Sequence, residues 1–147
     1  MKHIVITFAA LLLNLGMQAQ DLKEKDVPSV VKEAFHHDYP TATASEWEKE
    51  GNNYEVEFKN SGTEMSAEYS ADGKIISSET EISPSQLPEA ARNYIAEHFP
   101  GQKISEACKI TAADGTVTYE AEVQKSDYLF DANGKFLSKE TEDDHDD

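Results

Sequence analysis

Two hydrophobic periodicities alternate along the chain. Val27, Val30, Val31, Ala34 and Phe35 recur at the spacing of an amphipathic helix. Asp26 stands where an N-cap belongs, Pro28 in the first turn that tolerates a missing N–H, and Pro40 at the stop. Beyond Pro40 the period shortens to two. Tyr54, Val56 and Phe58 alternate with Glu55, Glu57 and Lys59, and Met65, Ala67 and Tyr69 with Glu64, Ser66 and Glu68, as in strands with one buried and one wet face. A strand around Trp47 precedes Gly51-Asn52-Asn53, Asn60-Ser61-Gly62 makes a loose turn, and Asp72-Gly73 supplies two positive-φ residues for a tight hairpin. The predicted unit is one helix followed by four antiparallel strands over 43–49, 53–59, 63–70 and 74–81.

The pattern returns about 60 residues later. Val27-Pro28, Val31, Phe35 and Tyr39-Pro40 are echoed by Leu87-Pro88, Ala91, Ile95 and Phe99-Pro100. Tyr54 to Phe58 returns as Tyr119-Glu120-Ala121-Glu122-Val123, Ala71-Asp72-Gly73-Lys74 as Ala132-Asn133-Gly134-Lys135, and Glu79-Thr80-Glu81 as Glu140-Thr141-Glu142. The second helix takes Ser85 as cap, a stripe of Leu87, Ala90, Ala91, Tyr94 and Ile95, and Pro100-Gly101 as stop. Its strands are predicted over 104–111, 117–124, 127–131 and 135–141, with a shorter turn at Lys125-Ser126-Asp127. Units this small bury barely enough surface to offset chain entropy, so the two are expected to pack together or share a sheet. The fold class is α+β, a two-layer sandwich in which the helices cover one face of the sheet. The expected divisions are 1–19, 20–82 and 83–142, with an acidic tail over 143–147.

Residues 1–19 read as a secretory signal peptide. Lys2 and His3 precede an apolar run from Ile4 to Leu15, and Gln18-Ala19-Gln20 offers a small residue before a polar start. The run is shorter than the roughly 18 apolar residues of a membrane span, and no Cys near the cleavage point offers a lipid anchor. The product is expected free in the periplasm or secreted, with no membrane insertion after cleavage. Losing Lys2 takes the basic count from 13 to 12 against 29 acidic residues, and the net charge from −16 to −17. Such a chain repels nucleic acid and anionic lipid, and a protein partner would carry a basic patch. Cys108 is the single cysteine, so no intramolecular disulfide can form. It reads as a small buried residue in the first strand of the second repeat, with intermolecular pairing as the alternative.

The apolar-Pro opening and aromatic-Pro end of each helix, with Trp47-Glu48, Tyr54-Glu55-Val56-Glu57-Phe58 and Asp72-Gly73-Lys74, resemble the periplasmic PepSY-like proteins of Bacteroidetes over nearly all of residues 24 to 142. The resemblance implies tandem repeats in the fold of the beta-lactamase inhibitor protein, with paired four-stranded sheets whose terminal strands are open to exchange between repeats. It also implies an inhibitor or regulator of a peptidase or other envelope enzyme, with no established catalytic motif. The second repeat departs from the pattern, since either Ala107 or Cys108 stands at the Trp47 position.

Candidate chemistry is sparse. His3 leaves with the signal peptide and His145 lies in the tail; His36, His37 and His98 fall near helix C-termini, where the dipole favours an imidazolium. A metal site from these three would need the helix ends to meet and a fourth ligand to converge. The chain holds no G-x-S-x-G elbow, phosphate loop, H-E-x-x-H or Cys/His signature. A non-enzyme with no catalytic residue and no cofactor is expected.

Alternation places Glu55, Glu57, Glu68, Glu120 and Glu122 on the sheet face away from the helices. One reading makes this a solvated face paired with Lys59, Lys125 and Lys139; the other makes it a recognition surface for a basic partner. Trp47 fills either the core or the seam between repeats, or else faces outward as a binding anchor. The tail residues Asp143, Asp144, Asp146 and Asp147 are solvated charge or a weak divalent-cation site, without the glycine-bent spacing of a calcium loop.

Overall fold

Each apolar stripe folds as a ten-residue helix, α1 over Ser29–Asp38 and α2 over Glu89–His98. The computed structural model describes residues 20–141; residues 1–19, expected to be a signal peptide, and the expected acidic tail lie outside the described residues. Both helices open on a proline, whose carbonyl accepts the N–H four residues on, Lys32 to Pro28 at 3.2 Å and Arg92 to Pro88 at 3.1 Å. Asp26 and Ser85 therefore do not cap them. They sit in short 3-10 turns, Glu24–Asp26 and Pro84–Gln86, that lead into the prolines. In the second turn the Gln86 carboxamide oxygen accepts the Ser83 backbone N–H at 2.8 Å. Tyr39 and Phe99 close the helices by donating to Phe35 and Ile95 carbonyls, one residue before the prolines that forbid continuation.

The strands are β1 (Gln20–Leu22), β2 (Thr43–Glu50), β3 (Asn53–Asn60), β4 (Thr63–Ser70), β5 (Ile75–Glu81), β6 (Glu106–Ala112), β7 (Val117–Val123), β8 (Ser126–Asp131) and β9 (Phe136–Thr141). They form one antiparallel sheet in sequence order. The two meanders fuse where β5 pairs with β6, from Ser77 opposite Ala112 to Glu81 opposite Cys108. Terminal strands are not exchanged between repeats among the described residues. β1 was not foreseen; it pairs with β2, placing Leu22 opposite Trp47.

The turn assignments reverse. Ser61-Gly62 and Gln124-Lys125 have both residues at positive φ and make the tight two-residue hairpins. At Asp72-Gly73 and Asn133-Gly134 only the glycine is left-handed, at φ +80° and +84°, closing a longer turn in which the Gly N–H bonds back to Ser70 or Asp131.

Each helix roofs its own core. Val27, Val31 and Phe35 pack on Trp47, Val56, Phe58, Ala67 and Tyr69; Leu87, Ala91 and Ile95 pack on Ala107, Ala121, Val123, Tyr128 and Phe130. Trp47, 4 % exposed, meets Phe35 edge to face with ring centroids 5.6 Å apart. It lies on β2, far from the β5–β6 seam, so it is core and neither a seam filler nor an outward anchor. The register also settles its counterpart. Trp47, Val56 and Ala67 stand in one row across β2, β3 and β4, and Ala107, Ala121 and Tyr128 in the matching row across β6, β7 and β8. The bulky aromatic has moved from the first strand to the third, and Cys108 faces the other side.

Candidate functional site

The other side of the sheet is acidic from end to end. Glu46, Glu48 and Glu50 of β2 face Glu57, Glu55 and Asn53 of β3, Glu55 faces Glu68 of β4, and Glu106, Glu122, Asp127 and Glu140 follow one another across β6 to β9. Like charges directly opposite each other in a ladder repel, so this arrangement costs stability. Among the described residues no helix packs on this face, yet Glu55, Glu68, Glu79 and Glu120 are buried, with Glu79 at 0 % exposure. Register shifts at Ala44/Glu46, Glu68/Tyr69 and Leu129/Phe130 mark bulges, which bend and twist a strand locally, and on this face the acidic side chains are packed against one another.

Crowding sets the electrostatics. Burial pushes Glu55 and Glu120 up to about 9, with the charges of Glu50 and Glu79 respectively adding to it. Burial also raises Glu57 to about 7, helped by Glu46, and Glu79 to about 7, where the adjacent Cys108 thiol restrains the rise. Glu68 rises less freely because Asn53 donates to it at 2.7 Å. A thiol is a weak donor. Beyond that thiol neither oxygen of Glu79 finds a hydrogen-bond partner, and one oxygen each of Glu50, Glu55 and Glu120 has none; the Ser66 hydroxyl restrains the rise of Glu55.

The expected lysine pairing is not how this face is neutralised. Lys59 lies 2.6 Å from Glu64 at the end of β3, Lys139 stands over the Tyr128 ring on the helix side, and Lys125 occupies a turn. Among the described residues, the ion pairs are His37–Asp38, Lys59–Glu64 and Lys74–Asp72, and none reaches the central glutamates. Cys108 is free and buried, and its thiol is pushed up by burial and then by Glu79, so it is an inert thiol.

Of the residues singled out from sequence, the structure brings Glu55, Glu57, Glu68, Glu120 and Glu122 onto one face and leaves Trp47 beneath α1. His36 and His37 stay at the end of α1 and His98 at the end of α2, where its Nδ1 lies 2.9 Å from the Tyr94 carbonyl oxygen and its ring stacks on Tyr94. Among the described residues, the one group of three acidic or metal-ligating side chains that converges is Asp21, Glu46 and Glu48, each with an oxygen within 4.8 Å of the others. Sequence reasoning missed it because Asp21 arrives through the unforeseen β1. It missed Glu79 too, since Ser77-Ser78-Glu79-Thr80-Glu81 has no apolar member to mark which face is which. The tail aspartates lie outside the described residues.

Residues 14–77 and 70–138 each match a family model described as "Putative beta-lactamase-inhibitor-like, PepSY-like". Among solved structures, a "putative periplasmic" protein from Bacteroides eggerthii is 20 % identical with a TM-score of 0.69, covering 78 % of this chain and 88 % of its own. A DUF2874 family protein from Bacteroides uniformis is 18 % identical at TM-score 0.68, over 76 % and 87 %. A BLIP-like protein from Bacteroides fragilis is 22 % identical at TM-score 0.65, over 81 % and 89 %. No curated protein matches the chain. Among the described residues, no helix is long and apolar enough to cross a membrane. The chain belongs to the PepSY-like family, whose model matches it twice.

Proposed function

We propose that this PepSY-like protein is a non-enzymatic binding module of the bacterial envelope that meets a basic surface on a partner protein with its uncovered sheet face, and thereby inhibits or regulates an envelope enzyme. One observation carries the reading: a sheet face dense in carboxyl groups, with the less buried Glu46 and Glu122 around a buried centre where Glu55, Glu79 and Glu120 sit without a basic neighbour, while the helices occupy the opposite side. Concentrated charge of one sign steers association with its opposite, and repulsion stored in the free protein is relieved when a basic surface arrives. The BLIP-like name of one structural neighbour and the periplasmic description of another support an inhibitor-type role outside the cytoplasm, as does the secretory reading of residues 1–19.

The test is capture from an envelope extract by the wild type and by a variant with Glu46, Glu57 and Glu122, which are not buried, all changed to Lys. A partner retained by the first and lost by the second is expected; equal capture removes the face from consideration. A second reading, weak divalent-cation binding, rests on the convergence of Asp21, Glu46 and Glu48. Calorimetry with calcium that gives no heat at millimolar metal would eliminate it.

A further inference from the structure

We infer that Glu79, at the seam where the two repeats join, is the receptor for one cationic side chain, an arginine guanidinium or lysine ammonium, inserted by the partner; this rests on the sheet face being the binding surface. Glu79 lies on β5, the fifth of nine strands, directly opposite Ser66 of β4 and Ile110 of β6. It is wholly buried and, apart from the weak Cys108 thiol, neither of its oxygens has a donor; the Ser66 hydroxyl opposite it is turned to Glu55. Buried polar groups in proteins are ordinarily hydrogen-bonded, so a wholly buried carboxyl left with one weak thiol donor marks a place where donors are missing. A carboxylate with both oxygens open fits the parallel N–H pair of a guanidinium, and a spare N–H can reach the serine.

The surroundings select a cation over a neutral donor. Facing Glu79 are Glu68 of β4, Glu57 of β3, Cys108 and Glu106 of β6, Glu120 of β7 and Asp127 of β8; none is basic. Glu55 and Glu120, two strands to either side, each keep one oxygen unpartnered. The glutamates that fringe the site have rotatable, unbranched side chains, so rotamer changes of theirs open the way to it. The equivalent residue of the second repeat is Glu140, on the edge strand β9 opposite Asp127. The site therefore exists once per molecule, at the centre of the sheet.

The probe is a hexa-arginine peptide titrated calorimetrically into the full mature protein, with hexa-citrulline as the uncharged control. Glu79→Gln should weaken hexa-arginine about tenfold or more, as expected for losing a charge-assisted bidentate contact, whereas Glu97→Gln on the exposed side of α2 should leave it within about twofold. Near neutral pH, binding to the wild type should release protons, seen as heats that change with the ionisation enthalpy of the buffer, and Glu79→Gln should lose that component. Ser66→Ala provides a second variant, with a smaller loss of affinity in the same direction. Equal weakening by Glu79→Gln and Glu97→Gln would mean diffuse attraction and overturn the inference, as would hexa-arginine binding without proton release. If Glu79→Gln still captures the partner that the Glu46, Glu57 and Glu122 reversal loses, the seam inference falls while the face reading stands; if the reversal captures it too, the face reading itself has failed.

Discussion

Ser66 and Glu79 stand directly opposite each other on neighbouring strands, both at 0 % exposure, yet they do not hydrogen-bond to each other, and the one donor beside Glu79 is the weak Cys108 thiol. A structure organised for stability alone would place apolar residues there, since a matched apolar pair leaves no group desolvated and unsatisfied. The uncovered face thus trades stability for charge, and the trade can be measured.

Removing the charge at the seam should stabilise the free protein. Glu79→Gln keeps shape and removes the ionisation that burial opposes. At about pH 8, above the value near 7 that burial gives Glu79, the variant should melt a few degrees higher than wild type; at about pH 5, where Glu79 is already protonated, the two should converge. A wild type that melts higher at both would show that Glu79 is satisfied in the free state.

The whole face should make stability fall as pH rises. For Glu55, Glu79 and Glu120 the folded values, about 9, about 7 and about 9, lie above the ordinary 4.5, so between these limits the native state binds more protons than the unfolded chain. Their contribution is fully present below the unfolded value and is lost as pH climbs through the folded ones. Even one such group is worth about 1.4 kcal/mol per pH unit across its window, enough to lower Tm by several degrees from about pH 5 to pH 9. Calorimetric melting across that range checks it, and a Tm that rises with pH would contradict the assignment.

Trp47→Ala should cost about 3 to 5 kcal/mol, because its ring fills the space beneath α1 against Phe35 with nothing able to close the gap. Denaturant unfolding gives the number. A midpoint barely changed from wild type would mean that Trp47 is not core.

Gly134→Ala should destabilise more than Gly115→Ala, although both glycines are left-handed, at φ +84° and +86°. Each loses about 1 kcal/mol or more to the backbone. At Gly134 a Cβ would also lie 2.7 Å from the Ala91 backbone nitrogen at the start of α2, whereas at Gly115 it would meet nothing within 4 Å. Unfolding both variants side by side is sufficient; equal losses would refute the close approach of turn and helix.

Helices, strand positions and the acidic face were legible because Val31 and Phe35 carry one period and Tyr54, Val56 and Phe58 another. What was not legible depends on contacts between distant segments. Three residues of β1 have no periodicity of their own and exist only by pairing with β2. The exchange of bulk between Trp47 and Tyr128 appears only once register sets Ala107 opposite Ala121. Burial of Glu79 was hidden for a related reason: a strand beside an uncovered face reads as solvated until the side chains of the neighbouring strands are placed around it. The caps failed locally, since Pro28 and Pro88 supply a carbonyl where Asp26 and Ser85 offered side chains.

In the proposed function the sheet face, and not the bulk charge, binds the partner. Two variants with the same change in net charge separate these: Glu57→Lys with Glu122→Lys on the sheet face, and Glu33→Lys with Glu97→Lys on the outer surface of the helices. Kd for the captured partner should rise at least about tenfold for the first pair and change little for the second. Equal weakening by both pairs, or greater weakening by the helix pair, would mean that the sheet face is not the binding surface.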